Sequence, residues 1–170
     1  GMAAISAIIS LLKSGDHIIV SSNVYGGTFR LLSRVYNDFN ITVDWVDTSN
    51  IELIGKAIKE TTKFIFIETP TNPMMQLSDI KSISKLAKQN SLKLIVDNTF
   101  MTPYFQRPLS LGADMVIHST TKYLNGHSDL VGGIVITNDN SLAEELVFLQ
   151  LSVGAVPSPF DCWLLQRSLK

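Results

Sequence analysis

Lys122 stands directly behind the small-hydroxyl run Ser119-Thr120-Thr121, where the apolar stretch Met115-Val116-Ile117-His118 leaves what its composition predicts to be a buried strand. A lysine amine that loses its proton and faces a carbonyl forms an imine, and hydroxyls with backbone N–H groups hold a phosphate. The covalent reading of Lys122 expects burial beside those donors; the competing reading is a surface lysine in a loop, as most lysines are. Asp97 ends a second apolar run, Leu92-Lys93-Leu94-Ile95-Val96. A carboxylate at the end of a buried strand is costly unless it meets a proton donor or a cation, and a protonated pyridine nitrogen is one such partner. Its competing role is local, as an N-cap or an Asx turn with Asn98 and Thr99.

The elements that must position these two residues alternate between strand-length apolar runs and longer stretches of helical period. That alternation predicts an α/β fold: three layers, with a mostly parallel sheet covered by helices on both faces. Helices are expected over 2–13, 28–38, 51–60, 78–89 (capped by Ser78, with Asp79 in its first turn), 141–151 and 160–169, with a short helix in the loop between Asp97 and Asp114. Strands are expected over 17–20, 41–46, 63–68, 92–97, 114–118 and 133–137, the last an edge strand able to run antiparallel. Tyr25-Gly26-Gly27-Thr28 reads as a turn. Thr69-Pro70-Thr71-Asn72-Pro73 reads as a stiff loop, because two prolines forbid continuation of the strand before it. In open parallel sheets ligands bind beyond the carboxyl ends of the strands, where Asp97 and Lys122 both fall.

Whole-chain numbers exclude other classes. The 170 residues, 45% of them hydrophobic, are enough for one domain with a sizeable core, and no repeat or flexible linker divides them. Fourteen basic against fifteen acidic residues give no basic field for nucleic acid or an anionic membrane. One cysteine, Cys162, cannot make an internal disulfide, and neither a signal peptide nor a membrane-length apolar run stands out, so a cytoplasmic setting is the expectation. Gly1 is not an initiator methionine and Leu169-Lys170 carries no terminator pattern, so the chain is expected to be a piece of a longer protein. His17, His118 and His127 lack the spacing of a metal-ligand set, and His118 reads as an ordered strand-end histidine. No Gly-x-Gly-x-x-Gly opens the first βα unit, no Walker lysine motif occurs, and Ser128 lies outside any nucleophile-elbow pattern.

Together, an imine-forming Lys122 and an Asp97 that keeps a ring nitrogen protonated describe a pyridoxal 5'-phosphate site. The chain also resembles the pyridoxal-phosphate enzymes of cysteine and methionine metabolism, which have the aspartate-aminotransferase-like large domain. The resemblance runs in order through Gly1-Met2-Ala3-Ala4, Val24-Tyr25-Gly26-Gly27-Thr28, Glu68-Thr69-Pro70-Thr71-Asn72-Pro73, Val96-Asp97-Asn98-Thr99-Phe100 and the run from His118 to Asp129. The segments 101–109 and 154–162 are most similar to the cystathionine γ-lyase branch, and Gly27 departs from the cysteine found there in methionine γ-lyases.

The resemblance implies that residues 1–170 are the cofactor-binding large domain, without an amino-terminal segment and a carboxyl-terminal domain. It gives Gly1 and Met2 as backbone donors to the cofactor phosphate at a helix start, with Ser119 and Thr121 adding hydroxyls. It gives Tyr25 as the ring-stacking tyrosine that assists proton transfer, against the plain reading of a core tyrosine. Asn72 faces the ring hydroxyl, or simply stabilises the turn before Pro73. Arg30 holds a distal substrate carboxylate, or is an exposed helix arginine with no such task. The implied activity is γ-elimination of cystathionine to cysteine, 2-oxobutanoate and ammonia by a homotetramer. Cystathionine γ-synthase, another family member, or a domain catalytically silent on its own are the alternatives.

Overall fold

The structure is a computed structural model describing residues 1–169. Its centre is a six-stranded sheet of β1 (His17–Ser21), β2 (Thr42–Val46), β3 (Thr62–Glu68), β4 (Lys93–Asp97), β5 (Met115–His118) and β6 (Ile134–Thr137), in the order β2-β1-β3-β4-β5-β6. The first five strands run parallel, and β6 joins β5 antiparallel at the edge, as its sequence allowed. The inner strands are continuous apolar runs because helices cover both faces. On one face Ile18, Val20, Phe66, Ile95 and Ile117 pack against Ala4, Ile5, Ile8 and Ile9 of α1 (Met2–Ile9). On the other, Ile19, Ile65, Ile67, Leu94 and Val96 pack against Ile54 of α3 (Ile51–Ala57) and Ile80, Ile83 and Ala87 of α4 (Ile80–Gln89). Each fully buried isoleucine contributes about 1.5–3 kcal/mol relative to an exposed one.

Several helices depart from their expected bounds for local reasons. α1 stops at Ile9, not Lys13, where Leu11 and Leu12 N–H turn back to the carbonyls three residues behind and tighten the chain into a final turn. The Gly-Gly segment is no isolated turn: α2 (Gly26–Arg30) starts there, continues as a π turn over Leu31–Val35 and a 3-10 turn over Tyr36–Phe39, and stops at left-handed Asn40. α3 ends at Ala57 rather than Glu60. Asp79, not Ser78, caps α4, its carboxylate accepting from Ser82 N–H and Oγ–H at 3.1 and 2.7 Å; Ser78 instead pairs with the Thr48 hydroxyl. Short α5 (Thr102–Phe105), α6 (Asn140–Val153) and α7 (Pro159–Ser168) complete the chain.

Gly112 is required where it stands. It ends the 3-10 turn Pro108–Leu111 at φ +100°, and its carbonyl accepts from Ser84 Oγ–H of α4 at 2.7 Å. A Cβ there would collide with Ser84 Oγ and lie 3.1 Å from Ser84 Cβ. We expect Gly112→Ala to destabilise the protein by about 2 kcal/mol, lowering the melting temperature by roughly 5 °C in a thermal scan.

At the sheet end away from the strand carboxyl termini, buried His17 pairs Nδ1 with Thr62 Oγ1 at 2.7 Å and places Nε2 3.3 Å from the Asp44 carboxylate. Burial pushes the imidazole pKa down, Lys59 adds to the fall, and Asp44 opposes it. With the folded pKa below the unfolded one, His17 leaves stability intact above about pH 6.5 and subtracts from it as pH falls toward the folded value. Melting curves of His17→Gln and wild type should therefore converge as pH drops below about 6.5; parallel curves would show that His17 titrates alike in both states.

Candidate active site

The carboxyl ends of β3, β4 and β5 open into a cavity of about 1230 Å³. Lys122, Asp97, Tyr25 and Asn72 line it, and so do the phosphate-site candidates Gly1, Met2, Ser119 and Thr121. Of the candidate site residues, only Arg30 is not brought there: it is exposed on α2, and its guanidinium folds back over Gly26.

Asp97 is 8% exposed, and burial pushes its carboxyl above the usual range, against the pull of the Thr99 hydroxyl and N–H. Both Thr99 donors go to one oxygen, Oδ1, at 2.5 and 3.0 Å. This is the Asx-type turn its sequence allowed, yet among the described residues Oδ2 has no hydrogen-bond partner. The local turn therefore uses one oxygen of the carboxylate and leaves the other unpaired. Thr99 also reaches further, since its Oγ1 accepts from Ser119 N–H at 2.9 Å and ties the acid to the hydroxyl loop.

That loop leaves β5 as a π turn over Thr120–Leu124, with Lys122 out of helical conformation at φ −95°, ψ −128°. Lys122 is exposed, not buried. It lines the cavity together with Gly1, Ser119 and Thr121, on the turn where the chain leaves the buried strand β5. The Thr121 hydroxyl accepts from Gly132 N–H at 2.9 Å and lies 3.3 Å from the Gly132 carbonyl, so it is largely engaged by the loop ahead of β6. Ser119 Oγ has no hydrogen-bond partner among the described residues, and Ser119 lines the cavity.

Glycines let these backbones meet. A Cβ on Gly1 would lie 3.1 Å from Ser119 Cβ, and one on Gly133 would lie 2.6 Å from Gly1 N. Gly1 N itself donates to the Gly132 carbonyl at 2.5 Å. No side chain caps α1, so its first N–H groups remain available to an anion. Gly27 is equally constrained: a Cβ there would strike the Tyr25 ring and stand 2.8 Å from Met2 Sδ. Tyr25 is 45% exposed and is no core tyrosine.

Sequence reasoning misses Glu68. It ends β3 in register with Asp97 on β4, is 7% exposed, and also lines the cavity. Its Oε2 accepts from Tyr25 N–H at 2.8 Å and its Oε1 from Asn72 N–H at 2.9 Å. Burial raises its pKa to about 7; Asp97 adds to the rise, and the two N–H groups oppose it. Its signal is present in the chain, an acid closing the apolar run Phe64-Ile65-Phe66-Ile67, the same pattern that singles out Asp97.

His118 is 2% exposed, burial lowers its pKa, and its Nδ1 has no hydrogen-bond partner among the described residues. Among the described residues no group of three or more His, Cys, Asp or Glu side chains is placed to hold a metal ion, and no helix is long and apolar enough to cross a membrane.

The residues present fit pyridoxal phosphate. The unpaired Asp97 oxygen suits a protonated ring nitrogen, the uncapped start of α1 and the free Ser119 hydroxyl suit a phosphate, and Lys122 suits an aldehyde. All of residues 1–170 match one family of enzymes with this cofactor. The chain is 54% identical over 170 residues to a cystathionine γ-lyase of Bacillus subtilis (strain 168), covering all of this chain and 45% of that protein. It is also 54% identical over 170 residues to a cystathionine β-lyase of Lactococcus lactis subsp. cremoris (strain MG1363), with the same coverage. The crystal structure of cystathionine γ-lyase from Lactobacillus plantarum complexed with L-serine superimposes with a TM-score of 0.98 at 48% identity, over 99% of this chain and 44% of that one. The chain thus spans less than half the length of these relatives. It belongs to the Cys/Met metabolism PLP-dependent enzyme family, whose cofactor is pyridoxal phosphate.

Proposed function

We propose that residues 1–170 form the cofactor-binding large domain of a carbon-sulfur lyase that cleaves cystathionine and water to cysteine, 2-oxobutanoate and ammonia. The observation that carries this reading is the convergence of Lys122, the half-free carboxylate of Asp97 and the uncapped α1 start on one cavity. Pyridoxal phosphate, when bound, supplies an electron sink that acidifies the α-carbon of an amino acid. Lys122 Nζ is the attachment point for the cofactor aldehyde and, when free, the base that takes protons from the substrate α and β carbons. Asp97 Oδ2 would accept a hydrogen bond from the ring nitrogen and so keep that nitrogen protonated. Gly1 and Met2 backbone groups, with the Ser119 and Thr121 hydroxyls, bind the phosphate end. Tyr25 would flank the ring and would return a proton to the departing sulfur, and Asn72 would lie on the side of the ring hydroxyl.

Lyase chemistry at the γ position is favoured by the segments 101–109 and 154–162; β-elimination is the nearest alternative, because a β-lyase relative is equally identical. Arg30 is retained as the binder of a distal carboxylate only if its side chain swings away from Gly26. The assembly we propose is a cytoplasmic homotetramer. Support comes from Val147, Phe148, Leu151 and Val153 on α6 and Phe160 and Trp163 on α7, each more than half exposed, an apolar surface that further polypeptide would cover. A second reading, a domain silent on its own, draws on the exposure of Lys122 and on a length under half that of the relatives.

Pyridoxal phosphate added to the protein, followed by borohydride reduction and peptide mapping, should label Lys122; scattered labelling or none favours the silent domain. In the active protein, Lys122→Ala should abolish the label and lower kcat by about 10³-fold or more. Asp97→Asn should keep the Thr99 turn and the label while lowering kcat by roughly 10²-fold, since a neutral amide no longer favours the ring proton; unchanged turnover would remove Asp97 from the mechanism.

A further inference from the structure

Glu68 is the buried acid that this chemistry leaves without a task, and its hydrogen bonds define one. Its two carboxylate oxygens accept from two different segments: Oε2 from the N–H of Tyr25, the residue before α2, and Oε1 from the N–H of Asn72, in the loop after β3. Asp97, one strand away in the same register, takes two donors on one oxygen and keeps the other free. Each Glu68 oxygen thus already accepts from one backbone N–H. Both residues it ties are lining residues of the cavity, and they are 47 positions apart in the chain (25 and 72), joined here through one side chain.

We infer that Glu68 is a positioning residue, a carboxylate clamp that fixes the backbones of Tyr25 and Asn72 so that their side chains meet the cofactor from fixed places. The inference rests on the proposed pyridoxal phosphate site. A carboxylate suits the task better than its amide, because both N–H groups point at acceptors and only the acid presents two. The Glu68→Gln change would turn an NH₂ toward one of the donors and break that bond, with almost no change in shape. The other charged or titratable side chains lining the same cavity are Asp97, Lys122, Tyr25, Asp161 and Cys162, so a charge change at Glu68 also reaches Asp97 directly.

Glu68→Gln and wild type should be compared in three measurements. Amide hydrogen exchange on the cofactor-free proteins should show faster exchange at Tyr25 or Asn72 in the variant, with the sheet amides unchanged. Titration with pyridoxal phosphate should show about 10-fold weaker binding, and the visible band of the bound cofactor should shift. Glu68→Asp, which keeps two acceptors on a shorter stem, should recover part of the protection and the affinity. It also serves as the test variant if the glutamine protein does not fold. Unchanged exchange, or faster exchange with unchanged cofactor affinity and band, overturns the inference while the proposed function stands. A wild-type protein that takes no label at Lys122 overturns the proposed function, and the inference with it.

Discussion

Glu68 and Asp97 sit side by side at the ends of β3 and β4, both more than nine-tenths removed from water, and the cavity's construction follows from what each carboxylate must do to remain there. A buried acid either keeps its proton or collects donors. Glu68 collects two backbone N–H groups and draws α2 and the post-β3 loop inward. Asp97 collects Thr99, whose hydroxyl in turn receives the N–H of Ser119. The sheet thus organises its loops through the needs of two carboxylates, and the loops carry the remaining candidate residues.

Close backbone approach does the rest. Gly1 against Ser119, Gly133 against Gly1 and Gly27 beneath Tyr25 each occupy space that a Cβ would fill. Leu32, Ile5, Ile8 and Ile9 anchor the helices behind these contacts by burial alone. Because the helix start is held by apolar packing and not by a cap, its N–H groups stay free. An anion arriving there meets donors that need no rearrangement, which is the usual advantage of a helix terminus as a binding site.

The sheet was legible because period-two and continuous apolar runs carry strand signals that tertiary context reinforces: all six strands lie within two residues of their expected bounds. Helix ends were less so. α1 and α3 stop early, and the Gly26–Phe39 helix changes pitch twice, since termini depend on a few hydrogen bonds that periodicity does not encode. For the candidate site, residue type at a strand end singled out Asp97 and the hydroxyl run singled out Lys122, and both line one cavity. What could not be read was the direction of side chains: that Lys122 is exposed, that Arg30 turns back over Gly26, and that Thr99 bridges two loops. Glu68 is masked in the sequence by the proline loop that follows it, although it ends an apolar strand as Asp97 does.

One chain of hydrogen bonds explains how two unlike ends of the cavity keep their spacing. Asp97 Oδ1 accepts from Thr99 Oγ1, and that oxygen accepts from Ser119 N–H, whose own residue lies against Gly1 at the start of α1. An acid that favours a cation is therefore linked through a single threonine to a helix terminus that favours an anion. A ligand carrying both a protonated ring and a phosphate satisfies the two ends together, whereas a simple anion or a simple cation leaves one of them unmet. Thr99 has little freedom in this arrangement: its hydroxyl proton goes to Asp97 and its lone pair to Ser119, so valine, with the same shape, would lose the bond to Ser119 and leave Asp97 with only the backbone N–H of residue 99. The order of the elements also follows, because only adjacent parallel strands such as β4 and β5 bring a strand-end acid and the next strand's exit loop within reach of one side chain.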